Sequence, residues 1–163
     1  MALIIRAATE NDAATVGELT ERAYRADGFP ISDKYAARLR DAATRINDAT
    51  LLVAELDARI VATITLAIHG SPFSEIAKPD ELEVRMLAVS PEERRQGIAE
   101  MLMSAAMKHA QSLGVRALVL STETPMSSAH KLYEKLGFTR QPDRDWPVGD
   151  YDLFVYTRDL NQS

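Results

Sequence analysis

EVRMLAVSPEERRQGIAEMLMSAAMKHA, residues 83–110, decides how the chain is to be read. An apolar run to Val89 passes without a linker into Arg94-Arg95-Gln96-Gly97-Ile98-Ala99. Beyond it, Ile98, Met101, Leu102, Ala105, His109 and Leu113 recur with the helical period until Gly114 offers a stop. A strand, a small-residue turn and a helix in that order bring together unpaired backbone amides, the positive end of a helix dipole and two guanidinium groups, which is a setting for a pyrophosphate. Small residues at 97 and 99 let a ligand approach those amides. A competing helix start, Ser90-Pro91-Glu92-Glu93, has the form of a capping box with proline at N1. It would leave Gly97 inside the first turns at a cost of about 1 kcal/mol relative to alanine. A turn over residues 91–95 and a helix from near Gly97 is the preferred reading. Taken alone, the turn is equally consistent with a glycine that merely relaxes the junction between solvated arginines.

On the N-terminal side, residues 3–7 read as a strand and Thr9 or Asn11 as the cap of a helix to about Ala26, with Val16, Leu19, Ala23 and Tyr24 on its apolar stripe. A second helical pattern over residues 32–46 places Tyr35, Leu39, Ala42, Ala43 and Ile46 inward, and Arg38, Arg40, Asp41 and Arg45 on a wet face. Residues 51–56 and 59–68 form a β-hairpin pattern around Asp57-Ala58, residues 69–80 a loop, and residues 81–89 the next strand. On the C-terminal side, residues 116–121 complete a βαβ unit. Ser127 or Ser128 caps a last helix carrying Ala129, Leu132, Tyr133 and Leu136, closed by Gly137. Residues 138–140 and 151–157 read as a terminal strand pair around a loop. The order predicts an α/β chain with one mixed sheet of about seven strands flanked by about four helices, and residues 1–163 as a single domain.

Composition narrows the function. A net charge of −5 without a basic block argues against nucleic acid as a partner. With no cysteine there is no disulfide, thiolate nucleophile or cysteine-bound metal, and the three histidines lack ligand spacing, so no metal is expected. No apolar stretch has the length of a secretory or membrane-spanning segment, and a cytoplasmic location with no membrane partner is the default expectation.

The segment LEVRMLAVSPEERRQGIA, followed by AHKLYEKLGF at residues 129–138, resembles the GNAT superfamily of acyl-CoA-dependent N-acyltransferases. The family's [Q/R]-x-x-G-x-[G/A] turn matches Arg94, Gly97 and Ala99, and its L-Y-x-x-x-G-F segment matches Leu132, Tyr133, Gly137 and Phe138. The order of elements matches too, so the resemblance extends over essentially the whole chain.

It implies acetyl-CoA as cofactor and transfer of its acetyl group to an amine of a small molecule or peptide, by direct attack in a ternary complex. The implied contacts are the main chain of Leu87, Ala88 and Val89 for the pantetheine arm and the amides of Arg94, Arg95, Gln96, Gly97, Ile98 and Ala99 for the pyrophosphate, with Arg94 and Arg95 neutralising charge. Tyr133 is implied as the general acid. A phenol near its ordinary pKa of about 10 is roughly matched to an alkyl thiolate. Its place on an apolar stripe is also what a packing tyrosine would show.

Glu83 is the candidate base. Strict alternation places it with Arg85, Leu87 and Val89 on one face, with Val84, Met86 and Ala88 on the other. A Glu83–Arg85 ion pair is the alternative. Many relatives carry an asparagine seven residues before the tyrosine, where this chain has Met126; Ser127 or Ser128 is the expected substitute. Trp146 beside Asp143 and Asp145 reads either as a lip for a cationic amine or, by preference, as the cover of a core edge. The resemblance further allows a homodimer through a sheet edge. A non-catalytic acyl-CoA sensor is the alternative reading, and a dinucleotide-binding module ranks low because Met101 or Leu102 stands where a third small residue belongs.

Overall fold

The computed structural model describes residues 3–27, 31–123, 127–149 and 151–160. In them the chain runs β1 (Leu3–Ala7), α1 (Ala13–Ala26), α2 (Asp33–Arg40), α3 (Ala42–Asp48), β2 (Thr50–Leu56), β3 (Arg59–Ile68), β4 (Glu81–Val89), α4 (Ile98–Leu113), β5 (Ala117–Glu123), α5 (Ser127–Lys135), β6 (Thr139–Arg140), β7 (Trp146–Val148) and β8 (Tyr151–Asp159). One eight-stranded sheet has the order β1-β2-β3-β4-β5-β8-β6, with β7 also on β8. Among the described residues only the β4–β5 pair is parallel, as a helical crossover through α4 requires.

The sheet is covered on both faces. Ile98, Leu102, Met103, Ala106 and Ala110 of α4 pack with Ala62, Ile64, Leu66, Leu82, Val84, Leu118 and Leu120, each of the larger chains stabilising by about 1.5–3 kcal/mol on burial. On the other face Val16 of α1 and Ala42 of α3 meet Leu51 and Val53. The hairpin turn at Asp57 and Ala58 has φ of +52° and +66°, the primed geometry that follows the strand twist.

Two differences from the sequence expectation matter. The helix expected over residues 32–46 is two helices. Asp41, at φ −84° and ψ +67°, ends α2, and its carboxylate then accepts from the Thr44 amide to cap α3. The break turns α3 relative to α2, so Arg45, expected on the wet face, is fully buried while Ala43 is exposed. The terminal loop also holds a strand: β7 pairs Trp146 with Leu153, and Trp146 packs on Ala77, Val119 and Val155 as a core cover. Asp145 is paired with Arg140 at 2.7 Å and accepts the Val155 amide, which ties it to the sheet.

Candidate active site

The site begins where the sheet opens. β4 and β5 pair only between Glu81 and Glu83 on one strand and Ala117 and Val119 on the other, whereas β5 stays paired with β8 as far as Glu123. The main-chain groups of β4 beyond Val84 therefore border a notch between two parallel strands. A bulge makes the divergence: Thr65 faces Arg85 but Thr63 faces Ala88, so β4 carries one extra residue, and Met86 takes up a φ of +51°.

The extra residue also corrects the expected alternation. Glu83, Arg85 and Ala88 lie on the α1 face, whereas Leu87 and Val89 turn to the α4 side, where they pack on its cluster. The Ser90 amide, bonded to the Val61 carbonyl at 2.8 Å, fixes the end of the strand.

After Ser90 a single 3-10 turn (Pro91–Glu93) leads to Arg94. Arg95 and Gly97 both have left-handed backbone, φ +67° and +77°, and α4 starts at Ile98, as the preferred reading of the turn expected. The first intrahelical bond is from the Met101 amide to the Gly97 carbonyl, and no side chain caps the helix. The amides of Ile98, Ala99 and Glu100 thus precede any helical acceptor and face the mouth of the notch with the dipole's positive end. A β-carbon on Gly97 would meet no atom within 4 Å, so the space before these amides is open.

The arginines divide. Arg94 is bound to the end of α1, with Nη1 2.6 Å from Asp27 and Nη2 donating to the Ala23 carbonyl oxygen at 3.2 Å. Arg95 is exposed beside them, and Gln96 donates to Glu93 at 3.0 Å.

Tyr133 lies half-buried on α5, its ring 6.0 Å from Phe138 and 6.1 Å from Tyr156. Burial, with a smaller contribution from the Asp27 carboxylate, pushes its phenol up to about 12, so it is protonated throughout the physiological range. The value lies above the match to a thiolate expected from an ordinary phenol. Tyr24 of α1 is its electrostatic neighbour, and is itself raised by burial first and then by Tyr35 and Tyr133.

Glu83 sits elsewhere in the network than expected. Its Oε1 accepts the amides of Glu75, Ile76 and Ala77 at 2.8–3.0 Å and the Ser74 hydroxyl at 3.2 Å, and the residue is 1% exposed. Arg85 does not pair with it; Arg85 bonds Glu75 at 2.8 Å and the Phe73 carbonyl at 3.1 Å. Met126 and the Ser128 side chain lie outside the described residues.

Sequence reasoning placed Tyr24 on an apolar stripe and Arg45 on a wet face, and so gave neither the half-buried nor the buried position found here. The acidic helix break at Asp41 was the signal for Arg45. Among the described residues no group of three or more histidine, aspartate or glutamate side chains is arranged to hold a metal ion, and no helix is long and apolar enough to cross a membrane.

A sheet opened between two parallel strands above an uncapped helix N-terminus defines a protein that can hold an extended arm ending in a phosphate group. A sequence profile of the acetyltransferase (GNAT) family matches residues 14–138, and the chain belongs to that family. It is 40% identical over 58 residues to mycothiol acetyltransferase of Pseudarthrobacter chlorophenolicus, covering 36% of this chain and 18% of that protein. It is 40% identical over 57 residues to N-alpha-acetyltransferase 30 of Schizosaccharomyces pombe, covering 35% and 38%. The chain thus spans about a fifth to two fifths of the length of these curated relatives.

Among solved structures, PaiA N-acetyltransferase from Thermoplasma acidophilum in complex with coenzyme A superposes with a TM-score of 0.78 at 20% identity, over 98% of this chain and 99% of that one. The ribosomal-protein-S18-alanine N-acetyltransferase of Escherichia coli does so with a TM-score of 0.70 at 20% identity, over 99% and 96%. At these identities the likeness is one of fold.

Proposed function

We propose that residues 1–163 form one N-acetyltransferase domain that moves the acetyl group of acetyl-CoA to a primary amine by direct attack. The observation that carries this is the opening of the β4–β5 notch onto the uncapped amides of α4. Unsatisfied main-chain donors and acceptors are costly unless water or a ligand meets them, and this notch offers them in a row. Residues and cofactor fit. The main chain of Leu87, Ala88 and Val89 borders the cleft for a pantetheine arm, and the amides from Arg94 to Ala99 receive the diphosphate. Arg95 supplies the nearby positive charge. In a chain of net charge −5 such local donors are needed to hold a polyanion.

Acetyl-CoA, when bound, supplies an acetyl thioester. With the thioester held there, the acceptor's amine nitrogen would take the acetyl carbon as its bond to sulfur breaks, and Tyr133 would hand its hydroxyl proton to that sulfur. The amine's surplus proton would leave to water. The raised pKa keeps Tyr133 protonated beforehand and makes the phenolate left behind basic enough to take a proton back from water. With no cysteine, no acyl-cysteine enzyme forms. Glu83 positions the 74–77 loop through its Oε1, a role the bonds to that loop support.

Incubation with acetyl-CoA and a panel of amines, followed by release of free thiol, tests the reading. Thiol release that requires both the protein and an amine is expected. Heat protection by acetyl-CoA without turnover on any amine would leave an acyl-CoA sensor instead.

A further inference from the structure

Arg45 is completely buried, yet of its guanidinium only Nη1 is bonded, donating to the Arg38 carbonyl oxygen at 2.6 Å; Nε and Nη2 have no partner. That bond closes the C-terminal end of α2 and accounts for one side of the group. A guanidinium carries five N–H donors, and burying some of them unpaired costs free energy that a folding role alone does not return.

Its surroundings sharpen the question. The charged and titratable groups facing it are the Tyr24 and Tyr35 phenols, Arg85 and Asp41. The Asp41 carboxylate is turned to its own helix, where Thr44 takes it through the amide at 3.2 Å and the hydroxyl at 2.7 Å. Arg85, with a side chain 11% exposed, is a second cation on the same face of β4, tied to Glu75 on its outer side. Tyr24 and Tyr35 stand edge to face with their centroids 6.2 Å apart. Tyr24 is also the electrostatic neighbour of Tyr133, which links this cluster to the proposed general acid.

The free atoms are informative as a pair. Nε and Nη2 form one edge of the guanidinium, the edge that gives a carboxylate two parallel hydrogen bonds. We propose that the acetyl acceptor is an amine bearing a carboxylate a few bonds from its nitrogen, an α-amino acid or close analogue, and that the Nε–Nη2 edge of Arg45 receives this carboxylate with Arg85 beside it. The half-buried Tyr24, Tyr35 and Arg85 form the approach and Arg45 the deep end. This rests on the acetyltransferase reading above and names the substrate class of that same site.

The test compares the common L-amino acids, each as free acid and as amide, together with a short peptide amidated at its C-terminus. For at least one amino acid, kcat/KM for the free acid is expected to exceed that of its amide by about a hundredfold, the scale of a lost charge-assisted fork. In Arg45→Met that ratio falls to within about threefold of unity, and Arg45→Lys, which keeps the charge without the fork, recovers only part of it. Should Arg45→Met not fold, Arg45→Lys and the wild-type ratio decide.

Equal rates for acids and amides, or the peptide amine as the best acceptor, would overturn the proposal, as would an acid preference that survives loss of the fork. Absence of heat protection by acetyl-CoA would count against the acetyltransferase reading instead. The cofactor-free protein still tests the inference then: it should be protected against heat by the amino acid and less by its amide, and equal protection would overturn it.

Discussion

At its start β4 is closed: Glu81 lies between Arg116 and Arg144, Glu83 gathers three loop amides, and β5 runs hydrogen-bonded alongside. At its finish the same strand bulges at Met86, parts from β5 and ends over the bare amides of α4. Burial works against the charge of Glu81, but the bonds from Arg144 and the Lys78 amide, with Arg116 beyond, outweigh it and hold the carboxyl below its ordinary range. At the other end the fold stops short of satisfying its own donors, and there the proposed function places the cofactor. Nine residues thus contain both a folding anchor and a binding edge, separated by one inserted residue.

Removing the anchor should have the largest effect. Glu83→Ala strands three amides that now share one acceptor, and urea denaturation should show a loss of about 3–5 kcal/mol, since each buried group left unpaired costs about 1–3 kcal/mol. Glu83→Gln keeps an acceptor oxygen and should turn over within about threefold of the parent, because no proton is assigned to this side chain. A hundredfold fall in kcat with folding intact would return Glu83 to the role of base and dissolve the contrast between the two ends.

Next comes Tyr133→Phe, expected to lower kcat by about a hundredfold while acetyl-CoA still protects the protein against heat. An unchanged kcat would remove the phenol from the reaction. Gly97→Val follows. The space around Gly97 is open, so the effect arises from its φ of +77°, at about 1–2 kcal/mol for a residue with a β-carbon, together with weakened acetyl-CoA binding. Full stability and full binding in that variant would contradict the placement of the diphosphate.

The smallest effect lies away from the notch. Bonding to Arg6, opposed in part by burial, holds the Asp12 carboxyl at about 2 against an ordinary value of 3.8. A depressed carboxyl gives stability that is complete above its unfolded value and is lost as pH falls through the folded one. Acid titration should therefore remove about 1 kcal/mol from this pair between roughly pH 4 and 2, after allowance for solvent screening. Asp12→Asn should flatten that part of the profile.

Legibility in the sequence followed the same division. The turn, the start of α4 just after Gly97 and the strand order could be read because each rests on local chemistry: a left-handed glycine, a helical period, a β-rich run. The bulge at Met86 could not, since nothing in residues 83–89 marks the extra residue, and a one-residue insertion moves Leu87 and Val89 to the opposite face. The ion pair of Arg94 could not be read either, since its partner Asp27 is 67 residues away. Arg45 was hidden for a different reason, a helix break whose cap, Asp41, looked like one more solvated charge.

The most direct measurement of the central claim is amide hydrogen exchange with and without acetyl-CoA. The account predicts slowed exchange at Leu87, Ala88 and Val89 and at the amides from Gln96 to Ala99, with little change at Glu81 and Glu83, which are already bonded. Protection that left those two segments unchanged, or appeared elsewhere on the sheet, would contradict it.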